Sequence, residues 1–175
     1  MKFKTKFLIA AISIATISIA MSTSFPTEGK TVSVIEPNHA HIASAHCLAL
    51  NIYHEARDQP IEGQVAVAQV VMERVKSNKY PNSICEVVMQ GPTYSWSINY
   101  PIKHRCQFSW YCDGLSDRPK DMIAYLNSVD VAEKTLHGLK DVVKGSMYYH
   151  STKVNPWWAK YKIRVRQIGD HIFYK

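Results

Sequence analysis

The sequence predicts an α+β domain, with helices in its first part and a small antiparallel sheet at its end. Three segments repeat apolar residues at intervals of three or four positions, which is the spacing of amphipathic helices. Near the carboxyl terminus the pattern changes to alternation around Gly169-Asp170, which is typical of a β-hairpin. The 175 residues are 46% hydrophobic and 20% charged, which favours one globular domain over a disordered chain or a polytopic membrane protein.

An export signal is predicted at the start of the chain. Three Lys residues in the first six positions precede an apolar run from Phe7 to Met21, and small residues lie at Ser18 and Ala20. Because a membrane-spanning helix needs about twenty apolar residues, this run is short for an anchor. We predict a signal peptide over residues 1–20, with an uncleaved membrane anchor as the alternative, and an exported protein of the periplasm, cell envelope or extracellular space.

The remaining chain is divided by composition into a linker and one folded domain. Residues 21–43 mix Ser, Thr, Pro and scattered charge without a regular period, and the domain is predicted over residues 44–175. The chain has 21 Lys and Arg against 14 Asp and Glu, a formal charge of +7 that favours an anionic partner. Removing residues 1–20 takes away three Lys and no acid, which lowers this charge to +4. Since no Lys/Arg cluster follows, we expect no nucleic-acid partner.

Two helices are predicted first. The first helix begins at Ser44, and Asp58-Gln59-Pro60 ends it. One face of this helix carries Ala49, Ile52, Tyr53 and Ala56. The second helix runs from about Glu62 to Lys76. Its inward positions are Val65, Ala68, Val71, Met72 and Val75.

The segment from Ser83 to Gly114 is predicted to be an irregular lobe, because it holds Gly, Pro and three of the four Cys. Asp117 is then expected to cap a third helix, with Pro119 in its first turn. The apolar positions of that helix are Ile123, Leu126, Val129, Ala132, Leu136 and Leu139.

The four cysteines are expected to form disulfides, because export places the domain in an oxidising compartment. They are Cys47, Cys85, Cys106 and Cys112, and three pairings are open. A zinc site is the weaker alternative, since the sequence contains no CxxC pair.

Glu55 is the carboxylate that departs from the helix pattern. It lies near the carboxyl end of the first helix, at the border of the apolar stripe beside Leu48 and Ile52. Burial and the negative end of the helix dipole both disfavour its ionised form, so its pKa is expected to rise. A protonated carboxyl group can donate a proton to a leaving glycosidic oxygen. The alternative interpretation is a surface ion pair with Arg57 or another basic neighbour.

Several sequence blocks stand in the order found in a known enzyme family. They are CLALNIYHEARDQPIEGQVAVAQVVMERV from Cys47, YPNSICEVV, CQFSWYCDG, GSMYYH, NPWWA and IGDHIFYK. Through them the chain resembles the cell-wall hydrolase family typified by bacterial spore cortex-lytic enzymes, over nearly the whole predicted domain. The resemblance implies a lysozyme-like fold, peptidoglycan glycan strands as the partner, cleavage between N-acetylmuramic acid and N-acetylglucosamine, and Glu55 as the catalytic residue. We expect a monomer without cofactor or metal.

The sequence departs from the family pattern in two places. Asp58-Gln59 stands where Gly-Glu is expected, beside the proposed acid. Glu73 replaces the usual Asn before Arg74, and we assign no role to its carboxylate.

A second carboxylate would decide which glycan reaction occurs, since hydrolysis normally uses two acids about 5 to 10 Å apart. Asp58 and Glu62 lie too near Glu55 in sequence to face it easily. Asp113 is better placed, with a turn residue before Gly114 as the alternative interpretation. Without a partner, the 6-hydroxyl of muramic acid can attack the anomeric carbon, which is the lytic transglycosylase reaction. The resemblance points the same way, and we predict this reaction.

The remaining candidates are substrate-binding residues. Gln107 and Ser109 lie between two Cys and could bond N-acetyl groups, while Trp110 could offer its flat face to a sugar ring. Phe108 between them is predicted to belong to the core. Three further binding candidates end a predicted strand, and alternation turns one Tyr inward and the other outward. They are Tyr148, Tyr149 and His150.

Two other functions are kept as alternatives. The first is a zinc amidase that cuts between muramic acid and the stem peptide, for which the chain offers four His near its motifs but no HExxH pair. These are His46, His54, His150 and His171. The second is a wall-binding module without catalytic activity.

Overall fold

The computed structural model describes residues 38–175, so the predicted signal peptide and most of the predicted linker lie outside the described residues. The described part contains four α-helices and five β-strands. They are α1 (His39–Ala56), α2 (Ile61–Lys76), α3 (Ile84–Val88), β1 (Thr93–Tyr94), β2 (Ser97–Pro101), α4 (Met122–Leu136), β3 (Tyr148–Ser151), β4 (Arg164–Ile168) and β5 (His171–Tyr174). Short 3₁₀ turns cover Ser109–Cys112 and Trp157–Tyr161. The predicted α+β class is confirmed.

The first helix begins five residues before its predicted start at Ser44. The side chain of Asn38 accepts a hydrogen bond from the backbone N–H of Ala40 at 3.0 Å and caps the helix. The predicted apolar face is confirmed, because Ala49, Ile52 and Ala56 are buried. The inward positions predicted for α2 are buried or packed against the core as well.

The main hydrophobic core lies where α1 packs against α2, α3 and α4. A disulfide between Cys47 and Cys85 links α1 to α3, and a second one joins Cys106 to Cys112. The disulfides expected from the sequence are confirmed, and the structure selects one of the three open pairings. The lobe predicted as irregular contains α3, the small hairpin β1–β2 and a 3₁₀ turn, so that prediction was too coarse.

The start of the third predicted helix was wrong. Asp121, and not Asp117, caps α4 by accepting a hydrogen bond from the N–H of Ala124 at 3.0 Å. The segment before it is held to α1, because the Tyr53 hydroxyl accepts the N–H groups of Lys120 and Asp121 at 3.0 Å each. The helix therefore begins only after this contact.

The apolar face predicted for α4 was wrong in part, since Ile123 and Leu126 are exposed. The face toward the core includes Ser128 and Thr135. Their hydroxyls donate to the carbonyl oxygens of the residues four positions earlier, at 2.9 and 2.8 Å, and this satisfies both groups inside the core. Small polar residues can therefore occupy a face that hydrophobicity alone assigns to solvent.

The three-stranded sheet has the order β3-β5-β4, with antiparallel pairing throughout. The predicted hairpin is confirmed, because β4 and β5 are joined at Gly169-Asp170. Phe173 of β5 is fully buried and packs with Val67 and Val70 of α2. This second core cluster attaches the sheet beside the carboxyl end of α1. Within residues 38–175, none of the helices combines the length and apolar character that crossing a bilayer requires.

Candidate active site

A cleft of about 300 Å³ lies at the carboxyl end of α1, and we call it the Glu55 cleft. Its walls come from α1, α2, the loop that starts at Cys106, β3 and β5. The residues that line it are Glu55, Arg74, Cys106, Gln107, Phe108, Ser109, Tyr149, His150, Ser151, Val154 and His171. Sequence positions more than a hundred residues apart thus meet around one carboxyl group.

Glu55 is half-buried in this cleft, and its Oε2 accepts a hydrogen bond from the Tyr149 hydroxyl at 2.9 Å. Burial raises the pKa of Glu55, and it outweighs the Tyr149 hydrogen bond and the positive charge of Arg74, which both lower it. The predicted rise is therefore confirmed in direction. Arg57 instead donates to the carbonyl oxygen of Tyr53 at 3.1 Å and lies over the Tyr53 ring. The surface ion pair with Arg57 is not formed.

Arg74 is a residue of the cleft that the sequence reasoning did not select. Its guanidinium group is buried between the rings of Tyr80 and Phe108, 5.2 Å from each ring centroid. Its Nε donates to the carbonyl oxygen of Met147 at 2.9 Å. The signal was present, because Arg74 continues the inward face of α2 three residues after Val71, where a charged residue is uncommon.

His171 also lines the Glu55 cleft, and the sequence reasoning considered it only as a zinc ligand. It is buried, and this burial lowers its pKa. The negative charges of Asp58 and Asp170 raise the pKa, but their effect is smaller than that of burial. Its ring lies edge-on to that of Tyr149, with the centroids 5.1 Å apart. A neutral imidazole therefore packs behind the tyrosine that holds Glu55.

Four of the predicted binding residues line the Glu55 cleft. Gln107 and Ser109 are exposed there, and Tyr149 bonds Glu55 directly. His150 is part of the lining, with its ring nitrogens bonded to the carbonyl oxygen of Ser151 and the hydroxyl of Tyr174, both at 2.9 Å. The structure thus orients the His150 ring through its own neighbours. Phe108 belongs to the core, as predicted.

Trp110 does not lie in the Glu55 cleft, and the prediction that it offers a flat face to a sugar was wrong. The indole is buried, His54 stacks on it with 4.5 Å between ring centroids, and its Nε1 donates to Asn51 at 3.2 Å. The 3₁₀ turn after Phe108 turns the side chain inward, so Trp110 serves packing. Its edge lines a different cavity, of about 310 Å³, together with Asp113.

Asp113 follows the alternative interpretation, that of a turn residue. Its Oδ1 accepts a hydrogen bond from the N–H of Leu115 at 2.7 Å. Glu62 forms an ion pair with Arg166 at 3.0 Å, and Asp58 lies near the Gln59 side chain at 3.4 Å. Of the residues that line the Glu55 cleft within the described part of the chain, Glu55 is the one carboxylate.

Tyr148 lies on the opposite face of β3 from Tyr149, so the structure decides which of the two tyrosines faces inward. The Lys162 ammonium lies 3.8 Å from the centroid of the Tyr148 ring, which also contacts Trp158. A hydrogen bond with Tyr80, followed by that with Lys162, lowers the pKa of the Tyr148 hydroxyl. Tyr148 is thus part of a separate surface cluster and does not line the Glu55 cleft.

The two departures from the family pattern have structural explanations outside the Glu55 cleft. Glu73 forms an ion pair with Lys76 at 2.6 Å on the surface of α2. Gln59 accepts a hydrogen bond from the N–H of Asp170 at 2.9 Å, which ties the loop between α1 and α2 to the turn between β4 and β5. The altered loop therefore braces the sheet against the end of α1.

Of the four histidines considered for zinc, His46 and His54 lie outside the cleft that His150 and His171 share. His46 bonds the Tyr125 hydroxyl at 2.8 Å, and His54 bonds the carbonyl oxygen of Asp117 at 3.0 Å. His150 and His171 lie in the Glu55 cleft. Among residues 38–175, no group of three or more His, Cys, Asp or Glu side chains is arranged to hold a metal ion.

Most of the folded domain matches a known protein family. Residues 58–174 match the family described as Cell Wall Hydrolase. The chain belongs to the cell wall hydrolase family. The matched range begins three residues after Glu55, so the role of Glu55 depends on its motif and its surroundings.

Curated relatives of this cell wall hydrolase are spore cortex-lytic enzymes. The one from Bacillus subtilis strain 168 is 29% identical over 128 residues, which are 72% of this chain and 35% of the relative. The one from Oceanobacillus iheyensis is 26% identical over 147 residues, which are 84% of this chain and 47% of the relative. The chain spans about a third to a half of the length of these relatives.

Two solved catalytic domains are similar to this chain. That of the germination-specific lytic transglycosylase SleB from Bacillus anthracis has a TM-score of 0.60 at 24% identity, covering 80% of this chain and all of that one. That of the Bacillus cereus SleB protein has a TM-score of 0.56 at 26% identity, covering 79% and 94%. The lysozyme-like α+β fold implied by the resemblance is confirmed.

Proposed function

We propose that this protein cleaves the β-1,4 bond between N-acetylmuramic acid and N-acetylglucosamine in peptidoglycan, as a lytic transglycosylase with Glu55 as acid and then base. The observation that carries the proposal is the state of Glu55, a half-buried carboxyl group with a raised pKa, bonded to Tyr149 in an open cleft. Membership of the cell wall hydrolase family and the similar lytic transglycosylase domain from Bacillus anthracis support it.

In the first step, protonated Glu55 donates its proton to the glycosidic oxygen while the bond between that oxygen and the anomeric carbon breaks. N-acetylglucosamine leaves with the proton, and positive charge develops on the muramic acid ring. The Glu55 carboxylate formed in this step is stabilised by the Tyr149 hydroxyl and by the positive charge of Arg74.

In the second step, the 6-hydroxyl oxygen of muramic acid bonds to its own anomeric carbon. Glu55 accepts the proton of that hydroxyl and returns to its starting state, so no water is consumed. This route needs one carboxyl group, which agrees with Glu55 as the single carboxylate that lines the cleft among the described residues. Hydrolysis would normally place a second acid opposite Glu55. We propose that Gln107 and Ser109, which are exposed in the cleft, bond the N-acetyl groups of the substrate.

The products of digestion test the proposal. Purified protein is incubated with peptidoglycan sacculi, and the released fragments are reduced with borohydride and weighed by mass spectrometry. We expect muramic acid ends that lack one water and resist reduction, which identify the 1,6-anhydro ring. Ordinary reducible muramic acid would instead indicate hydrolysis. Free stem peptides, lost with EDTA and restored by zinc, would indicate the amidase.

A binding module without catalytic activity is tested by Glu55→Gln. The amide keeps the shape of the side chain but has no proton to donate as an acid. We expect this variant to bind sacculi and release nothing. Release of fragments at the wild-type rate by Glu55→Gln would remove Glu55 from the mechanism.

Because a cell wall hydrolase meets its substrate outside the cytoplasm, we also propose that the protein acts in the cell envelope after export.

A further inference from the structure

The hairpin β1–β2 presents an uncharged aromatic surface that the proposed chemistry does not use. Tyr94, Trp96, Ile98 and Tyr100 are 41%, 71%, 86% and 60% exposed. Because side chains alternate along a strand, Ile98 and Tyr100 of β2 share one side of the hairpin, and Trp96 lies in the turn before them. The Trp96 ring lies 5.4 Å from that of Tyr94, nearly parallel to it, and 5.4 Å from that of Tyr100. We call these three rings the aromatic platform.

The aromatic platform is attached to a wall of the Glu55 cleft. Just before the hairpin, the carbonyl oxygen of Gln90 accepts the N–H of Gln107 at 2.8 Å, and Gln107 lines the cleft. Gly91 packs so closely on Cys106, another cleft residue, that a Cβ at this position would lie 2.7 Å from its Sγ. The base of the hairpin is therefore continuous with the cleft wall.

The chemistry of this surface fits a sugar chain. Residues 93–101 contain no charged side chain, which matches the uncharged pyranose rings of a glycan backbone. Flat aromatic faces pack on the C–H faces of such rings, while the tyrosine hydroxyls and the indole N–H remain free to bond their polar substituents. A contact with an anionic membrane would instead use basic side chains on the same face, and this segment has none.

We propose that Tyr94, Trp96 and Tyr100 bind N-acetylated sugar rings of a glycan strand outside the Glu55 cleft, as an additional subsite that holds the polymer during cleavage. The identity of the polymer as peptidoglycan rests on the proposed function above. The platform holds long strands, so it contributes to binding of sacculi and leaves the cleavage of short fragments in the cleft unchanged.

Binding is measured with full-length protein that carries Glu55→Gln, so that sacculi stay intact. Adding Trp96→Ala and Tyr100→Ala is expected to weaken binding to sacculi about tenfold, the loss expected when aromatic contacts worth roughly 1.4 kcal/mol are removed. The same loss is expected on glycan strands stripped of their peptides by an amidase. Tyr161→Ala is the matched control, since this ring is 69% exposed and lies outside the hairpin. Trp96→Phe retains a ring and is expected to keep most of the binding.

Activity is measured with Glu55 intact. The Trp96→Ala, Tyr100→Ala protein is expected to cleave a short soluble fragment at the wild-type rate and sacculi more slowly. Wild-type binding of this variant to stripped glycan strands would overturn the proposal. If this variant instead lost binding to anionic lipid vesicles while its binding to sacculi was unchanged, the hairpin would be a membrane contact and the proposal would be overturned. If it lost a dimer seen in light scattering while its binding to sacculi was unchanged, the partner would be a second copy of the chain and the proposal would also be overturned. A wild-type protein that releases no anhydro ends would contradict the proposed function alone, because the binding measurements do not depend on cleavage.

Discussion

The hydroxyl of Tyr149 donates to Oε2 of Glu55 across 2.9 Å, joining the second residue of the edge strand β3 to the last turn of α1. Burial, and then the neighbouring Glu55 charge, raise the pKa of Tyr149 well above its ordinary value. The phenol therefore keeps its proton and remains a donor whenever Glu55 is ionised. A residue that acts first as an acid and then as a base needs two things. Burial keeps the proton on Glu55 before the reaction, and the hydrogen bond from Tyr149 stabilises the carboxylate after the proton has left.

Replacing Glu55 with Gln is expected to reduce the release of peptidoglycan fragments by at least the hundredfold that a general acid contributes. The measurement is the initial rate on sacculi, with circular dichroism to check the fold. Glu73→Gln is the matched control, since that carboxylate pairs with Lys76 on the surface of α2 and is expected to leave the rate unchanged. Equal losses in both variants would contradict a specific role for Glu55.

Tyr149→Phe is expected to raise the pKa of Glu55 further, because the lost hydrogen bond favours the ionised carboxylate. A hydrogen bond to a charged group is worth about 1.5 kcal/mol or more, which corresponds to roughly one pH unit. The alkaline limb of the pH–rate profile, where Glu55 loses its proton, should therefore move to higher pH. The maximal rate should fall, because the carboxylate that Glu55 becomes in the first step loses its stabilising donor. Tyr161→Phe, on the surface, should leave the profile in place. A shift to lower pH would refute this assignment.

The raised pKa of Glu55 also has a consequence for stability. A carboxyl group that binds its proton more tightly when folded than when unfolded makes the fold less stable as pH rises from the unfolded pKa through the folded one. Glu55→Gln removes this cost. We therefore expect the Tm of the variant to exceed that of the wild type at neutral pH, and the two values to converge below the unfolded pKa. A gain that is the same at every pH would show that ionisation is not its cause.

The two disulfides are expected to contribute differently. Cys47 and Cys85 are 38 residues apart, so replacing both with Ala should lower the free energy of unfolding by about 4 kcal/mol through chain entropy. Cys106 and Cys112 are 6 residues apart, and the corresponding loss is about 2 kcal/mol. Urea denaturation measures both changes.

The two disulfide variants are expected to differ in activity in the opposite order to their loss of stability. Cys106 lines the Glu55 cleft and supports the base of the β1–β2 hairpin, whereas Cys47 lies in the core. The Cys106/Cys112 variant should therefore lose more activity on sacculi despite its smaller loss of stability. Activity that simply follows stability in both variants would contradict this view of the loop.

The parts of the fold that the sequence predicted correctly are those that depend on one local pattern. The apolar stripe of α1 and the hairpin at Gly169-Asp170 required only spacing and turn chemistry, and both are confirmed. The face of α4 was missed because Ser128 and Thr135 satisfy their hydroxyls within the helix and so can be buried. Both Gln107 and Trp110 in the loop from Cys106 were assigned to the site, but its 3₁₀ turn directs Trp110 into the core and leaves Gln107 at the cleft.

The sequence by itself determined the fold class, the family motifs, and the position of Glu55 on a helix border where burial raises its pKa, because these follow from local periodicity and residue type. Only the tertiary structure decided which tyrosine of β3 reaches Glu55, that Arg74 and His171 share its cleft, and which cysteines pair. Those outcomes depend on contacts between segments far apart in the chain, which no local pattern specifies. The acid is encoded locally, whereas the surroundings that control its proton are assembled by folding.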